Sequence, residues 1–312
     1  MKIYFAPLEG ITGYIQRQTF AKYFGSVDKY FIPFIQPKQH GHFTSREKKD
    51  MAPENNAGLT AVPQLLTNSV HDFLLTTEKL QELGYTEVNL NLGCPSRTVV
   101  SKGRGSGQLA DMEALDRFLS EIYEKAQVDI SIKTRIGLVD PSEFETILPV
   151  FQKYPLKELI VHPRVQKEMY KGTPHKEIFA AAKAAKEFPV CYNGDIVCKA
   201  DYEQLIQQFP ELDCIMIGRG LLKNPALARE IQGGSPLTKE EVRRYHDELY
   251  ARYQEVMFGD RNLLFKMKEY WEFQICSFED TIKAAKKIRK AQRAYQYEEA
   301  VSELFEKCEL IQ

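Results

Sequence analysis

The residues best suited to chemistry in this chain fall just after short apolar runs, and Cys94 is the most distinctive of them. It lies in Asn91-Leu92-Gly93-Cys94-Pro95, a loop-forming context that leaves a thiol accessible and stiffened on one side by proline. Such a thiol serves either as a nucleophile, with its pKa lowered, or as a general acid, with its proton kept near neutral pH; these residues do not choose between the two. Other runs end in Pro7-Leu8-Glu9-Gly10, carry Gln64, or supply Lys133 with Arg135, His162 with Arg164, Asn193-Gly194-Asp195 and Gly218-Arg219-Gly220. Glycine-rich turns let a backbone approach a phosphate, and Arg219 would add charge-assisted hydrogen bonds. A cation at Lys133 and an amide at Gln64 suit a flavin ring whose reduced form is negatively charged. Taken singly, Gln64 could cap a strand, Lys133 could pair with a carboxylate and Cys94 could be an inert thiol. Their recurrence after successive apolar runs points to one shared site, because unrelated residues would be scattered.

The apolar runs that must position these residues are rich in β-branched side chains and cover 2–6, 29–35, 59–66, 87–91, 129–134, 158–162, 189–193 and 213–218. Segments of helical periodicity lie between most of them, at 70–83, 112–125, 143–153, 176–186, 199–208 and 221–231. Continuous apolar strands alternating with helices belong in a parallel sheet covered by helices. Eight such units over about 230 residues predict an α/β fold, a (β/α)8 TIM barrel, whose active site gathers at the C-terminal ends of the strands. Gly233-Gly234-Ser235-Pro236 breaks the rhythm, and Thr238 with Glu241 three residues later is a capping-box pattern that opens a helix. Beyond it no strand-like run occurs, while Tyr245, Leu249 and Tyr253, then Val301, Leu304 and Phe305, have helical spacing. The expected organisation is a catalytic barrel at 1–234 followed by a small C-terminal helical bundle at 235–312.

Composition narrows the function classes. Hydrophobic residues at 43% and charged residues at 27% fit a folded globular chain rather than a disordered one. No apolar run approaches the roughly 18 residues of a membrane span, and Pro7 and Glu9 interrupt the opening too early for a signal peptide. Six cysteines form no C-x-x-C pair, so free thiols in a reducing cytoplasm are expected, with no metal and no membrane partner. With a formal net charge of -1, a nucleic-acid partner must be held by a local basic face. The stretch 283–293 provides one: six basic residues, no acidic one, and Lys283, Lys286, Lys287 and Lys290 spaced so that several share a helix face. That face is either simply solvated or a contact to a phosphate backbone through residues such as Lys286 and Lys290. A monomer is expected.

Read together, Ala-Pro-Leu-Glu-Gly at 6–10, Asn91-Leu-Gly-Cys-Pro95, Lys133-Thr-Arg135, Val161-His-Pro-Arg164, Asn193-Gly-Asp195 and Ile217-Gly-Arg-Gly220 resemble the tRNA-dihydrouridine synthases of bacteria. The Lys-Gly-x-Gly-Ser pattern at 102–106 and the helical tail resemble the same family. The resemblance implies FMN held by Pro7, Leu8, Glu9, Gln64, Lys133, His162, Asn193, Gly194, Asp195, Gly218 and Arg219, and NADPH as electron donor. It further implies hydride transfer from flavin N5 to C6 of a uracil, protonation of C5 by Cys94, and a substrate side formed by Asn91, Arg135 and Arg164, with tRNA as partner. A start directly at the first strand resembles the short bacterial branch that modifies D-loop uridines. The chain departs from the family in having Leu8, Gln108 and Pro163, which bear on the shape of the substrate pocket.

Two other enzymes and one binding protein compete with this reading. A small-molecule FMN reductase would share the cofactor but has no use for a basic helix, and a Schiff-base lyase at Lys133 would be trapped by borohydride. A barrel that only binds tRNA would carry no flavin.

Overall fold

The structure is a computed structural model that describes residues 1–37, 41–185 and 187–311. Eight parallel strands close into a barrel: β1 (Lys2–Phe5), β2 (Lys29–Ile35), β3 (Ala61–Leu65), β4 (Glu87–Leu92), β5 (Asp129–Arg135), β6 (Leu159–His162), β7 (Val190–Tyr192) and β8 (Cys214–Ile217). The order follows the chain, and β1 pairs with β8 to close the ring. The TIM barrel and its helical tail are therefore as expected, and each strand lies within a few residues of its apolar run. Because helices cover the outer face and side chains fill the interior, both faces of each strand are buried. Tyr4, Phe31, Val62, Ile160 and Met216 pack in the barrel interior.

The helices are α1 (Tyr14–Tyr23), α2 (Ser45–Met51), α3 (Val70–Glu82), α4 (Arg97–Val100), α5 (Met112–Lys125), α6 (Phe144–Phe151), α7 (Lys176–Ala184), α8 (Lys199–Gln208), α9 (Arg219–Lys223), α10 (Leu227–Ile231), α11 (Lys239–Val256), α12 (Asp260–Gln274), α13 (Ile282–Lys290) and α14 (Ala294–Lys307). The end of the helix expected at 176–186 includes Lys186, which lies outside the described residues. The single helix expected at 221–231 is corrected to two, α9 and α10. Asn224, which precedes Pro225, takes extended angles (φ -120°, ψ 95°) because the proline ring disfavours a helical residue before it.

Thr238 and Glu241 form the expected capping box at the start of α11, with the Glu241 amide donating to Thr238 Oγ1 at 3.2 Å and the Thr238 amide to the Glu241 carboxylate at 2.9 Å. Buried Tyr245 then sets α11 against α1, with its ring edge-on to Phe24 at 5.1 Å and its hydroxyl accepting from Gln16 Nε2 at 2.6 Å. Gln274 at the end of α12 donates to the Lys223 carbonyl of α9 at 3.1 Å. The tail thus rests on the β8–β1 side of the barrel, beside the strand ends. No described helix is long and apolar enough to cross a membrane.

Candidate active site

The C-terminal ends of the strands surround a cavity of about 360 Å³. Pro7, Leu8, Glu9, Gln64, Asn91, Cys94, Lys133, Arg135, His162, Asn193, Gly194, Asp195, Gly218 and Arg219 all line it. Of the residues singled out in the sequence, Arg164 stands behind the wall, and Lys286 and Lys290 are on exposed positions of α13.

Strand periodicity places Glu87, Asn89 and Asn91 of β4 on one side of the strand. Asn91 Oδ1 accepts the backbone N–H of Gly93 at 3.0 Å and of Cys94 at 2.9 Å, so it shapes the loop that carries the thiol. Its Nδ2 donates to Gln64 Oε1 at 2.7 Å, Gln64 Nε2 to Asn89 Oδ1 at 2.7 Å, and Asn89 Nδ2 to Ser131 Oγ at 3.0 Å. Ser131 in turn donates to Glu87, which is paired with Lys29 at 2.7 Å. Gln64 is left with one N–H and one lone pair for a ligand. The Cys94 carbonyl accepts from the amide and hydroxyl of Ser106 at 3.1 and 2.9 Å. Gly105, at φ +57°, is required there: a Cβ would come within 2.9 Å of the Cys94 oxygen. Gln108 closes this segment onto the β3–α3 loop by donating to the Thr67 carbonyl at 3.0 Å.

Burial pushes the Cys94 thiol above its ordinary pKa and outweighs the Ser96 amide, Arg135 and Lys133, which pull it down. The sulfur keeps its proton at neutral pH. Lys133 lines the cavity, and burial, with Arg135 adding repulsion, pulls its ammonium down to about 8. It has no hydrogen-bond partner among the described residues. His162 is held well below its ordinary value, chiefly by burial and then by Lys133 and Arg135. Its Nε2 lies 3.1 Å from Arg164 Nη1, which can only donate, so the neutral ring carries its proton on Nδ1.

The two arginines expected on the substrate side are largely committed elsewhere. Arg135 donates from Nε to the Gly93 carbonyl at 3.1 Å, from Nη1 to Val165 at 2.9 Å and from Nη2 to Met169 at 2.5 Å, tying the Cys94 loop to the loop after β6. Arg164, with no exposed surface, donates to the carbonyls of Lys171 at 3.0 Å and Gly172 at 2.5 Å, to His162, and to Asp195. Arg164 therefore braces the wall from behind and does not itself line the cavity.

At the opposite side of the mouth, Asp195 also accepts from Arg219 at 3.0 Å. Burial alone would raise the Asp195 carboxyl, but Arg164 and then Arg219 outweigh it and hold it below its usual range. Two guanidinium groups against one carboxylate leave this corner with a net positive charge. The turns here are tightly packed: a Cβ on Gly220 would meet the Ile196 carbonyl at 2.1 Å. Asn193 donates to the Met216 carbonyl at 2.8 Å and joins β7 to β8. Glu9 reaches outward to an ion pair with Arg46 of α2.

Sequence reasoning missed Tyr170, whose ring lines the cavity between the Arg135 and Arg219 guanidinium groups, 5.3 and 5.0 Å from its centroid. It sits on a loop without periodicity, and its only sequence signal is an aromatic residue among charged neighbours. Asn89 and Ser131 were also missed, although Asn89 shares the alternating pattern of Asn91. No group of three or more His, Cys, Asp or Glu side chains able to hold a metal occurs among the described residues.

The chain is 26% identical over 255 residues to the probable tRNA-dihydrouridine synthase 2 of Bacillus subtilis, covering 80% of this chain and 78% of that one. It is 27% identical over 267 residues to the tRNA-dihydrouridine(16) synthase of Cupriavidus necator, covering 80% and 82%. Among solved structures it is similar to an old yellow enzyme homologue from Zymomonas mobilis, with a TM-score of 0.53 at 13% identity over 78% of this chain and 92% of that one. Morphinone reductase gives a TM-score of 0.52 at 11% identity, over 76% and 87%. These two likenesses concern the fold alone. The family model described as dihydrouridine synthase matches residues 4–310, and the chain belongs to that family.

Proposed function

We propose that this protein is an enzyme that reduces the C5–C6 double bond of specific D-loop uridines in tRNA to dihydrouridine, using FMN and NADPH. The observation that carries the reading is one cavity, in a chain of this family, that brings together a protonated thiol and an ammonium with no partner among the described residues. The residues suit the cofactor: Lys133 offers an unpaired cation to an anionic ring edge, Gln64 and the His162 Nδ1 proton offer further donors, and Pro7, Leu8 and Glu9 wall the cavity. The positive corner of Asn193, Gly194, Asp195, Gly218 and Arg219 suits a phosphate. When bound and reduced, FMN supplies hydride transfer from N5 to uracil C6.

Cys94 then gives its proton to C5. Lys133 and Arg135 stabilise the thiolate left behind until solvent reprotonates it, so one hydride and one proton are added and NADPH is oxidised. Asn91 holds the loop that aims the sulfur, and Arg135 and Arg164 hold the loops around it. Residues 1–234 form the catalytic part, 235–312 the tRNA-binding part, and the cytoplasm, where tRNA is found, is the site of action. Purified protein should be yellow, release FMN on denaturation and form dihydrouridine in tRNA with NADPH, read by nucleoside mass spectrometry. A colourless protein that cannot be loaded with FMN would overturn the reading.

The Lys133 ammonium is charged below about pH 8 and loses its proton above it. An anionic cofactor binds the charged form, so FMN affinity should weaken as pH rises through that value, by up to about ten-fold per pH unit for one linked proton. Fluorescence titration of wild type and Lys133→Met checks this: the variant should lack the dependence, and a wild type equally insensitive to pH would remove Lys133 from the cofactor site.

Lys286 and Lys290 are exposed, one turn apart, and without ion pairs among the described residues. If they meet RNA phosphates, reversing both to glutamate weakens tRNA binding and lowers the slope of log affinity against log salt by roughly one to two. An unchanged slope would show that this face is only solvated.

A further inference from the structure

Beside the mouth, across the loop from β1 to α1, lies a second cleft of about 690 Å³ between the barrel and the C-terminal helices. Ile11 lines both cavities. Glu9 in the mouth is paired with Arg46 in the cleft, and Lys266 of α12 reaches over to bond the Gly10 carbonyl. The two spaces are therefore neighbours separated by one turn of chain that is braced from both sides.

The far lip of the cleft is formed by Val256, Phe258 and Phe265. Phe258 is 91% exposed, Phe265 68% and Val256 38%. Single apolar side chains on a surface need no explanation, but two phenyl rings and a valine on one cleft mark a binding surface. Neither ring has an aromatic partner among the described residues. The charged groups facing them are mostly spent: Asp50 accepts from the Tyr14 amide at 2.6 Å and lies beside Arg17, Glu269 is held by Lys266 at 3.1 Å, and Arg46 is bound to Glu9. Exposed Lys49 has no ion pair among the described residues and offers a cation to an anion at the rim.

We propose that this cleft binds an unpaired nucleotide adjacent to the reacting uridine in the same RNA strand, with its base stacked on Phe258 or Phe265 and its phosphate near Lys49. The inference rests on the tRNA-reductase reading above and names the ligand of an additional subsite. A uridine that enters the barrel mouth leaves its stack, and the nucleotide next to it loses a stacking partner. Exposed phenyl rings replace that partner, and they do so for any base because every base has a π-face.

The test uses the full-length flavoprotein and an in vitro transcribed tRNA. Phe258→Ala with Phe265→Ala should raise Kd and KM for tRNA about ten-fold or more, with FMN content and the rate of flavin reduction by NADPH unchanged, and Phe258→Tyr with Phe265→Tyr should restore binding. Both rings are exposed, so the fold does not depend on them. As a second readout, Phe265→Trp should show emission quenched by single-stranded oligouridylate and not by an RNA duplex of equal length; the native Trp271 is buried. Wild-type affinity in the double alanine variant overturns the inference, as does a wild-type dimer that dissociates on Phe258→Ala, which would make the rings a contact between copies. If wild type forms dihydrouridine while the double alanine variant binds tRNA normally, only the subsite fails. If wild type forms none, it is the tRNA-reductase reading that fails.

Discussion

Replacing Cys94 by alanine slows dihydrouridine formation by about 10²–10⁴-fold, the usual contribution of a positioned general acid, while FMN content and reduction of the flavin by NADPH stay at wild-type levels. On the proposed mechanism the two half-reactions separate, because the sulfur acts on the substrate and takes no part in reducing the flavin. If Cys94 is the proton donor, the thiol is the competent form, so Cys94 ionisation leaves the step unchanged through neutrality and lowers it only above the ordinary thiol value of 9.0, separately from the loss of the Lys133 charge above about 8. A nucleophilic thiolate would show the opposite trend, with activity rising toward alkaline pH. Single-turnover oxidation of the reduced enzyme by tRNA, followed across pH in wild type and Cys94→Ala, reads both effects, and equal rates for the two proteins would exclude Cys94 as the proton donor.

Arg164→Ala should be the most damaging single change among the residues behind the site, costing about 3–5 kcal/mol of stability. The side chain is fully buried, and its removal strands the carbonyls of Lys171 and Gly172 and His162 Nε2 while leaving a cavity. Asp195 adds less to the loss because it is 36% exposed and can be resolvated. The same change takes one positive charge from the corner proposed for the phosphate, so FMN should also be retained poorly. Lysine should not rescue it, since one ammonium cannot reproduce the planar fork that serves four acceptors. Urea unfolding of wild type, Arg164→Ala and Arg164→Lys measures this; a midpoint within error of wild type in either variant would contradict the placement.

The strands were legible because both faces of a parallel barrel are buried, which turns each strand into a short continuous apolar run. Helices α1 and α2 were not, since they bury Gln16, Arg17 and Thr19, and Glu47 and Asp50, and so blur the apolar period that betrays a helix. The polar residues that follow the strands were legible as a set, but not the direction each one faces. Arg135 and Arg164 show the difficulty. An arginine beside a mouth can meet substrate or satisfy loop carbonyls, and that choice depends on the path of the loop after β6, where Met169 takes φ +55°. Tyr170 escaped for the same reason.

The hydrogen bonds that run from the Cys94 amide to Glu87 have a further consequence. At one end the backbone amides of Gly93 and Cys94 can only donate; at the other the carboxylate can only accept. These two termini dictate which way round each side-chain amide between them must sit, although such a group has nearly the same shape when turned end for end. Gln64, Asn89, Asn91 and Ser131 are therefore coupled, since turning one amide end for end sets donor against donor at its neighbour. A lineage that alters one of them must alter its neighbours as well, and these four positions should drift together or not at all.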